Sequence, residues 1–236
     1  MTRILTAAAV TLAFAVLARV VRGVTTSGAI AGAIVCFLLY SIAGPGTFAA
    51  LVSVFVLAWI TTRLGYAQKQ TLGTAEQHDG RTAAQVLANL GTAGLCCLLF
   101  AFFARNFAFL LAACAALSEA AADTVSSESG EAFSRNARLI TSWELVPAGT
   151  DGGITWAGTL AGTIAAAIVT AVCVLTGVLP GKWFALSVLA AVAGMLFDSL
   201  LGALLERRKI LANDHVNFLG TVFAATLAFV LSLLFQ

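Results

Sequence analysis

The chain has 236 residues, of which 60% are hydrophobic and only 10% are charged, and its mean hydropathy is +0.98. Soluble globular domains carry about 45–50% apolar and about 25% charged residues, so this composition excludes a soluble domain. The formal net charge of +2 is small and dispersed along the chain, which excludes a nucleic-acid-binding protein. The sequence therefore predicts an all-α, polytopic membrane helix bundle that forms a single integral membrane domain over residues 1–236.

Long runs without charged residues mark the predicted membrane spans, because one span needs about 20 mostly apolar residues. The run 4–18 is interpreted as an anchored helix and not as a cleaved signal peptide, since no small-residue cleavage site precedes a polar mature domain. The run 23–62 is long enough for two spans, and Gly44-Pro45-Gly46 divides it where a turn is most favourable. Eight spans are predicted in all: two in 23–62 and one each in 4–18, 82–104, 106–127, 152–179, 183–205 and 215–236. The alternative is six or seven spans, if short segments are re-entrant.

Lysine and arginine residues predict the orientation, because cytoplasmic loops of membrane proteins carry an excess of them. If the N-terminus lies outside, ten of these residues fall on the inner side and three on the outer side. Both termini are therefore expected outside. The longer polar loops, 63–81, 124–151 and 206–214, then lie on the cytoplasmic face. Catalysis is expected on that face, in a plasma, inner or organelle membrane.

The cysteines indicate helix packing and no special chemistry. All five lie inside apolar stretches, without a Cys-x-x-Cys spacing and without a neighbouring histidine: Cys36, Cys96, Cys97, Cys114 and Cys173. Free cysteine behaves as a small apolar side chain, so these residues are predicted to be buried between helices.

Acidic residues inside the predicted spans are the strongest functional signal, because ionised groups are costly in the membrane. Glu119 and Asp123 are four residues apart and therefore lie on the same face of a helix. Two carboxylates so close together repel each other unless a cation lies between them, and Mg²⁺ prefers such oxygen ligands. The alternative is an ion pair of Glu119 with Arg63 or Arg81. Asp198 is the other such acid, and its alternative is a hydroxyl or basic partner.

Two further features lie on the predicted cytoplasmic side. Arg81, Gln85 and Asn89 recur at helical spacing and form a polar stripe that should face the bundle interior, although hydrogen bonding between helices would also explain it. A glycine-rich turn, 149–153, directly precedes a predicted span, and a helix N-terminus attracts anions. The alternative for this turn is a plain linker.

The segment 213–217 opens the last predicted span. Asn213 or Asp214 is a possible N-cap of that helix, which is the alternative to a functional role. His215 and His78 are weak candidates for a general base, because nothing in the sequence brings either close to the acidic residues.

Six motifs in the same order resemble one membrane family, that of the plant phytyl-phosphate kinase of vitamin E synthesis. They cover nearly the whole chain, at residues 22–29, 80–89, 122–130, 149–153, 197–202 and 213–217. The Ala-Asp-Thr at 122–124 is also similar to the Gly-Asp-Thr of polyprenol and dolichol kinases. The resemblance implies a kinase that transfers a phosphoryl group from a nucleoside triphosphate, CTP or a similar donor, to an isoprenyl monophosphate of phytyl, geranylgeranyl or farnesyl type.

This chemistry requires charge neutralisation and positioning more than covalent catalysis. Our hypothesis assigns Mg²⁺ to Asp123, Glu119 and Asp198, with Glu128 as a further catalytic acid. The residues expected to bind the nucleotide or the acceptor are Arg63, Arg81, Gln85, Asn89, Thr124, Ser127, Arg138, Thr150, Gly152, Gly153, Ser199, Asn213 and Asn217. The expected partners are these two substrates and membrane lipids, and a homodimer is left open. The alternative function is an ion or small-anion transporter that uses the buried acids.

Overall fold

The computed structural model describes residues 2–75 and 79–235, so His78 lies outside the described residues. Eight of the described helices are long and apolar enough to span a membrane, which confirms the predicted bundle. They are α1 (Thr2–Val20), α2 (Thr26–Ala43), α3 (Pro45–Arg63), α5 (Ala83–Phe102), α6 (Phe107–Phe133), α7 (Trp156–Leu175), α8 (Phe184–Leu201) and α9 (Asn213–Leu234). A short helix, α4 (Tyr66–Leu72), follows α3, and a π-helical turn, Gly202–Glu206, follows α8.

Helix α6 is the centre of the bundle and is surrounded by α3, α5, α7, α8 and α9. In its most apolar stretch 83% of the residues are buried, against 17% in α1, which lies at the periphery. Nine of the 19 buried residues of α6 are alanines, and such small side chains let neighbouring helices approach closely. All five cysteines are free and buried, as predicted.

Glycines bring α7 into direct contact with α6. A Cβ atom added at Gly158 would lie 2.5 Å from the carbonyl oxygen of Ser126, and one added at Gly162 would lie 2.6 Å from that of Ala122. Larger residues at these positions would push the two helices apart. The close contact fixes α7 against the turn of α6 that carries Asp123.

The two ends of the bundle differ, and we name them the apolar end and the polar end. The apolar end holds both ends of the described chain: Arg3 donates to the carbonyl of Ile42 at 3.2 Å, and Phe109 contacts Phe229 near the end of α9. The polar end holds the described connections 21–25, 64–75, 79–82, 134–155 and 202–212. The structure thus places the longer polar loops together, as the sequence predicts.

The connection between α6 and α7 is partly a small sheet, where the sequence analysis expected only a loop. Strands β1 (Asn136–Leu139), β2 (Leu145–Pro147) and β3 (Gly153–Ile154) pair antiparallel in the order β2-β1-β3. Alternate residues of β1, Ala137 and Leu139, are buried, so the sheet packs one face inward. Apolar runs detect only the membrane-spanning part of a helix. The prediction therefore ended this helix at residue 127, whereas α6 continues to Phe133, and it missed the short strands.

Candidate functional site

A polar cavity of about 530 Å³ opens at the polar end, between α5, α6, α8, α9 and the segment 149–155, which follows β2 and leads into α7. Most of the residues proposed from sequence line it: Arg81, Gln85, Asn89, Asp123, Thr124, Ser127, Glu128, Thr150, Gly152, Gly153, Asp198, Ser199, Asn213 and Asn217. Three other proposed residues, Glu119, Arg63 and Arg138, do not line this cavity.

The N-termini of three helices face the polar cavity. Thr82 caps α5, where its hydroxyl accepts from the N–H of Gln85 at 3.4 Å and its own N–H donates to Gln85 Oε1 at 2.8 Å. Thr155 caps α7, accepting from the N–H of Gly158 at 2.9 Å. Asn213 begins α9. Each helix N-terminus carries a partial charge of about +0.5, so the cavity attracts anions such as phosphate.

Two carboxylates lie beside these helix N-termini. Asp123 of α6 and Asp198 of α8 are in side-chain contact, and both line the polar cavity. Within the described structure, Asp198 Oδ2 is buried without a hydrogen-bond partner. Arg81 lies close enough to act electrostatically on Asp123, and its Nη1 donates to Thr124 Oγ1 at 3.3 Å. The cavity therefore combines groups that attract anions with acids that attract cations.

Glu119 lies one turn deeper in α6 and is almost completely buried, with 1% of its surface exposed. It fits because its neighbours on α8 and α9 are glycines: a Cβ atom at Gly194 would lie 2.7 Å from Glu119 Cγ, and one at Gly220 would lie 2.6 Å from Oε1. Neither carboxylate oxygen has a hydrogen-bond partner among the described residues. The alternative ion pair with Arg63 or Arg81 is therefore not seen in that part of the chain.

Glu128 is fully partnered, unlike the acids nearer the middle of α6. Its Oε1 accepts from Thr62 Oγ1 at 2.9 Å, and its Oε2 accepts from Lys69 Nζ in a buried ion pair. Lys69 Nζ also donates to the carbonyl of Thr61 at 2.8 Å. These contacts join α3 and α4 to α6, so they favour a structural role for Glu128 at the cavity wall.

Arg63 and Arg138 are held away from the polar cavity. Arg63 lies over the ring of Trp59, 4.0 Å from its centroid, and donates to the carbonyl of Val21 at 3.0 Å. Arg138 is exposed on β1 and donates to the carbonyl of Trp143 at 2.8 Å. Of the three arginines proposed from the sequence, only Arg81 lines the polar cavity.

The glycine-rich turn of residues 149–153 approaches the cavity with a compact backbone. Gly149 and Gly152 have φ of +85° and +76°, a region that L side chains rarely adopt. The N–H groups of Thr150 and Gly153 donate within the turn, to the carbonyls of Pro147 at 3.3 Å and Thr150 at 2.8 Å. These two N–H groups are already bonded within the chain, so they are not free donors to an anion.

The start of α9 differs from the expected cap. Ala212 occupies the N-cap position, so neither Asn213 nor Asp214 is the cap. Instead, His215 Nδ1 accepts from the N–H of Ala212 at 3.3 Å. A side chain within the first turn supplies the acceptor here, which leaves the Asn213 and Asp214 side chains at the cavity wall.

A second cavity, of about 310 Å³, adjoins the polar one, and we call it the apolar groove. It lies between α1, α2, α3 and α5, and most of its lining side chains are apolar. The residues that line both cavities are Gly80, Arg81, Gln85, Asn89 and Thr124. The predicted polar stripe therefore separates a polar from an apolar compartment.

Other cavity residues were not proposed from the sequence as site residues. They include Thr74, Thr82, Ser126, Glu131, Thr155 and Asp214. Thr82 and Gln85 form a Thr-x-x-Gln capping box, a signal that could have placed the start of α5 and thus this wall of the cavity. The hydroxyl of Thr74 donates to Glu131 Oε2 at 2.7 Å, a long-range contact that no local pattern predicts.

The carboxylates fit a shared magnesium site better than a complete protein cage. Among the described residues, no three His, Cys, Asp or Glu side chains are arranged to hold a metal ion by themselves. Mg²⁺ is usually bound by one or two carboxylates together with substrate phosphates and water. The contact between Asp123 and Asp198, with the unpartnered Oδ2 of Asp198, suits that mode.

The chain is also similar in sequence to known proteins. A family model described as "Integral membrane protein DUF92" matches residues 9–225. The chain belongs to the DUF92 family. It is an integral membrane protein, as its apolar helices also indicate. No solved structure gives a significant match to the chain.

Three proteins with similar sequences come from Methanocaldococcus jannaschii, Arabidopsis thaliana and Synechocystis sp.. The uncharacterized membrane protein MJ0933 of Methanocaldococcus jannaschii is 35% identical over 205 residues, which cover 85% of this chain and 82% of that protein. Protein VTE6, chloroplastic, of Arabidopsis thaliana is 28% identical over 85% of this chain, but the match spans only 62% of VTE6. The uncharacterized membrane protein sll0875 of Synechocystis sp. is 30% identical over 81% of this chain and 76% of its own length. The DUF92 match and the similarity to VTE6 confirm the resemblance drawn from the six motifs.

Proposed function

We propose that this DUF92 protein is a membrane-embedded kinase that transfers a phosphoryl group from a nucleoside triphosphate, CTP or a similar donor, to an isoprenyl monophosphate. The observation that carries the proposal is the polar cavity itself. Three helix N-termini and Arg81 meet the Asp123–Asp198 pair there, next to an apolar groove. The similarity to VTE6 supports the same reaction, because the motifs resemble the phytyl-phosphate kinase family. By the excess of lysine and arginine at the polar end, the active site faces the cytoplasm.

In this reaction an oxygen of the prenyl phosphate attacks the γ-phosphorus of the donor. The bond between that phosphorus and the β,γ-bridging oxygen breaks, and the products are a prenyl diphosphate and a nucleoside diphosphate. Asp123 and Asp198 would hold Mg²⁺, which neutralises charge on the donor phosphates when bound. Arg81 and the N-termini of α5, α7 and α9 would neutralise the remaining phosphate oxygens.

The acceptor needs no strong general base, because a phosphate monoester is already an anion at neutral pH. This agrees with the cavity lining, in which the described side chains include carboxylates, hydroxyls and amides but no histidine. Gln85, Asn89 and Asn217 lie where amide groups could orient the acceptor phosphate. Glu119 does not line the polar cavity, so it would not contact the substrate.

The test is a phosphoryl-transfer assay on purified protein in liposomes, with Mg²⁺, each nucleoside triphosphate, and prenyl alcohols and monophosphates from geranyl to geranylgeranyl. We expect diphosphate from a prenyl monophosphate, and a loss of roughly hundredfold or more in Asp123→Asn. Glu144→Gln, which alters an exposed acid outside the cavity, is the matched control and should retain activity.

Two results would contradict the kinase. Normal turnover by Asp123→Asn would remove Asp123 from the reaction. Absence of product from every donor and acceptor, with the protein shown to be folded, would favour the transporter, and flux of ions or phosphate across the same liposomes would then be measured.

A further inference from the structure

We propose that the apolar groove binds the isoprenoid chain of the acceptor, and that the α2 wall at Gly32 determines which chain lengths are accepted. The inference rests on the proposed kinase function and deepens it, because it names the part of the protein that selects the substrate. It is carried by the continuity of the two cavities, the charge at the mouth of the groove, and the free space at one glycine.

Continuity of the cavities gives the orientation of the ligand. Arg81, Asn89 and Thr124 line both the polar cavity and the apolar groove. A molecule with an anionic head and an apolar chain can therefore place its phosphate beside Arg81 and its chain in the groove. A free phosphate or nucleotide uses only the polar side of this boundary.

Cationic and aromatic side chains surround the mouth of the groove. Arg22 and Arg63 line it there, and Arg63 is held over the Trp59 ring. These cations complement an anionic head group at the level where the membrane meets water. The charge at the mouth thus favours a phosphorylated lipid over a neutral one such as a prenyl alcohol.

The groove extends into the bundle and ends at buried side chains. From Arg63 at the mouth to Leu51 at the inner end, α3 advances twelve residues, or about 18 Å at the rise of an α-helix. This is roughly half of the 30 Å hydrocarbon thickness of a bilayer. Cys36 and Leu51 at the inner end are 1% and 2% exposed and belong to the hydrophobic core. A groove closed in this way holds a chain of limited length.

Gly32 is the position where the groove has room to be filled. A Cβ atom added there would have a single neighbour within 4 Å, Val86 Cγ1 at 3.9 Å. At Gly28, one turn nearer the mouth, a Cβ atom would lie 2.2 Å from the carbonyl oxygen of Arg81 and would displace the backbone. A larger residue at position 32 therefore takes space from the groove without forcing the helices apart.

The first experiment compares kcat/KM of wild type and Gly32→Leu for geranyl, farnesyl and geranylgeranyl monophosphate in liposomes. We expect the variant to lose at least about tenfold on geranylgeranyl relative to geranyl, since a few methylenes in a fitted apolar pocket are worth that much. Gly91→Leu is the matched control. It makes the same substitution in a spanning helix at a site with no atom within 4 Å and outside both cavities, so it should keep the wild-type profile.

A uniform loss across all chain lengths, or a wild-type profile in Gly32→Leu, would overturn the groove assignment while leaving the kinase intact.

A wild-type protein without kinase activity would refute the proposed function instead. The groove is then tested by binding alone, with a farnesyl monophosphate analogue that carries a photoreactive diazirine at the end of its chain. Labelling of α2 or α3, suppressed in Gly32→Leu but not in Gly91→Leu, supports the assignment. Labelling outside α2 and α3 overturns the assignment. So does competition in which a bilayer lipid without a phosphate suppresses the labelling as strongly as unlabelled farnesyl monophosphate does.

Discussion

The two ends of the bundle are closed in different ways. At the apolar end, aromatic rings fill the space between helices, as in the Phe107–Trp183 and Phe109–Phe229 pairs with centroids 5.8 Å and 4.8 Å apart. At the polar end, helix N-termini and acids surround a cavity of about 530 Å³. Packing alone is sufficient to join helices, so it does not explain why costly carboxylates are retained at one end. The difference indicates that packing is distributed over the bundle, whereas the side chains suited to chemistry line the cavity at the polar end.

A second contrast lies within the polar end. Glu128 has partners for both oxygens, in Lys69 and Thr62, and connects three helices. Both oxygens of Glu119 and the Oδ2 atom of Asp198 are buried without a hydrogen-bond partner in the described structure. The paired charge of Glu128 stabilises the contact between helices, whereas acids without a partner can attract a cation.

The largest effect on stability is expected from Lys69→Met, because it removes a fully buried cation and leaves the largely buried Glu128 without its ion-pair partner. The free energy of unfolding should fall by about 3–5 kcal/mol, as for other broken buried ion pairs. Reversible unfolding with SDS in mixed micelles measures this change. The double variant Lys69→Met/Glu128→Leu removes both charges and should recover most of the loss. If the single variant is as stable as wild type, the ion pair does not hold the polar end together.

The next largest effect is expected in catalysis, from Arg81→Gln. Loss of charged hydrogen bonds to phosphate should lower kcat/KM roughly hundredfold, equivalent to about 2.7 kcal/mol. Arg138→Gln is the matched control, because Arg138 is exposed and bonded to Trp143 outside the cavity. It should stay within about twofold of wild type. Equal losses in both variants would mean that phosphate binding is not centred on Arg81.

Two glycines, one at each end of the bundle, differ in how tightly their surroundings are packed. Gly152 at the polar end and Gly177 at the apolar end have nearly the same φ, +76° and +75°. A Cβ atom at Gly152 would lie 2.4 Å from Ala203, whereas at Gly177 it would meet nothing within 4 Å. Both alanine variants have the backbone strain, but Gly152→Ala should be less stable by a further ~1–3 kcal/mol of overpacking. Thermal unfolding of both variants measures the difference, and equal stabilities would refute the tight contact.

The smallest effect is expected from Asp151→Asn. Burial raises the pKa of the Asp151 carboxyl above its ordinary value, and nearby Arg207 partly offsets the rise. With a raised pKa the folded state binds the proton more tightly than the unfolded state, so stability falls as the pH rises through the interval between the two values. Asp151→Asn should flatten the dependence of the unfolding midpoint on pH in the interval that begins at the ordinary aspartate pKa of about 4. An unchanged slope would show that Asp151 does not contribute to it.

Local patterns were sufficient to predict the membrane helices. Apolar runs located all eight spans, and Gly44-Pro45-Gly46 correctly divided the longest run, since α2 ends at Ala43 and α3 begins at Pro45. They missed α4 and the three short strands, because segments of a few polar residues have too weak a periodicity. They also ended α6 at its last apolar residues, although an α-helix does not stop where the membrane stops.

The contacts of the acids could not be predicted from the sequence. Glu119 and Asp123 share a helical spacing, yet only Asp123 lines the polar cavity, because glycines of α8 and α9 enclose Glu119. Lys69 belongs to the polar loop 63–81 expected from the sequence, yet it is buried against Glu128, 59 residues away. Hydropathy and spacing describe one helix at a time, and they carry no information about which neighbour covers which face.

Composition and charge pattern thus determined that this chain is a helical membrane protein with its polar loops together, because apolar length and loop charge act locally. Tertiary packing decided that Arg81, Asp123 and Asp198, which come from three separate parts of the chain, share one cavity beside an apolar groove. The physical reason is that the small residues of α6 and α7 set how closely the helices approach, and this spacing is a property of all the helices together.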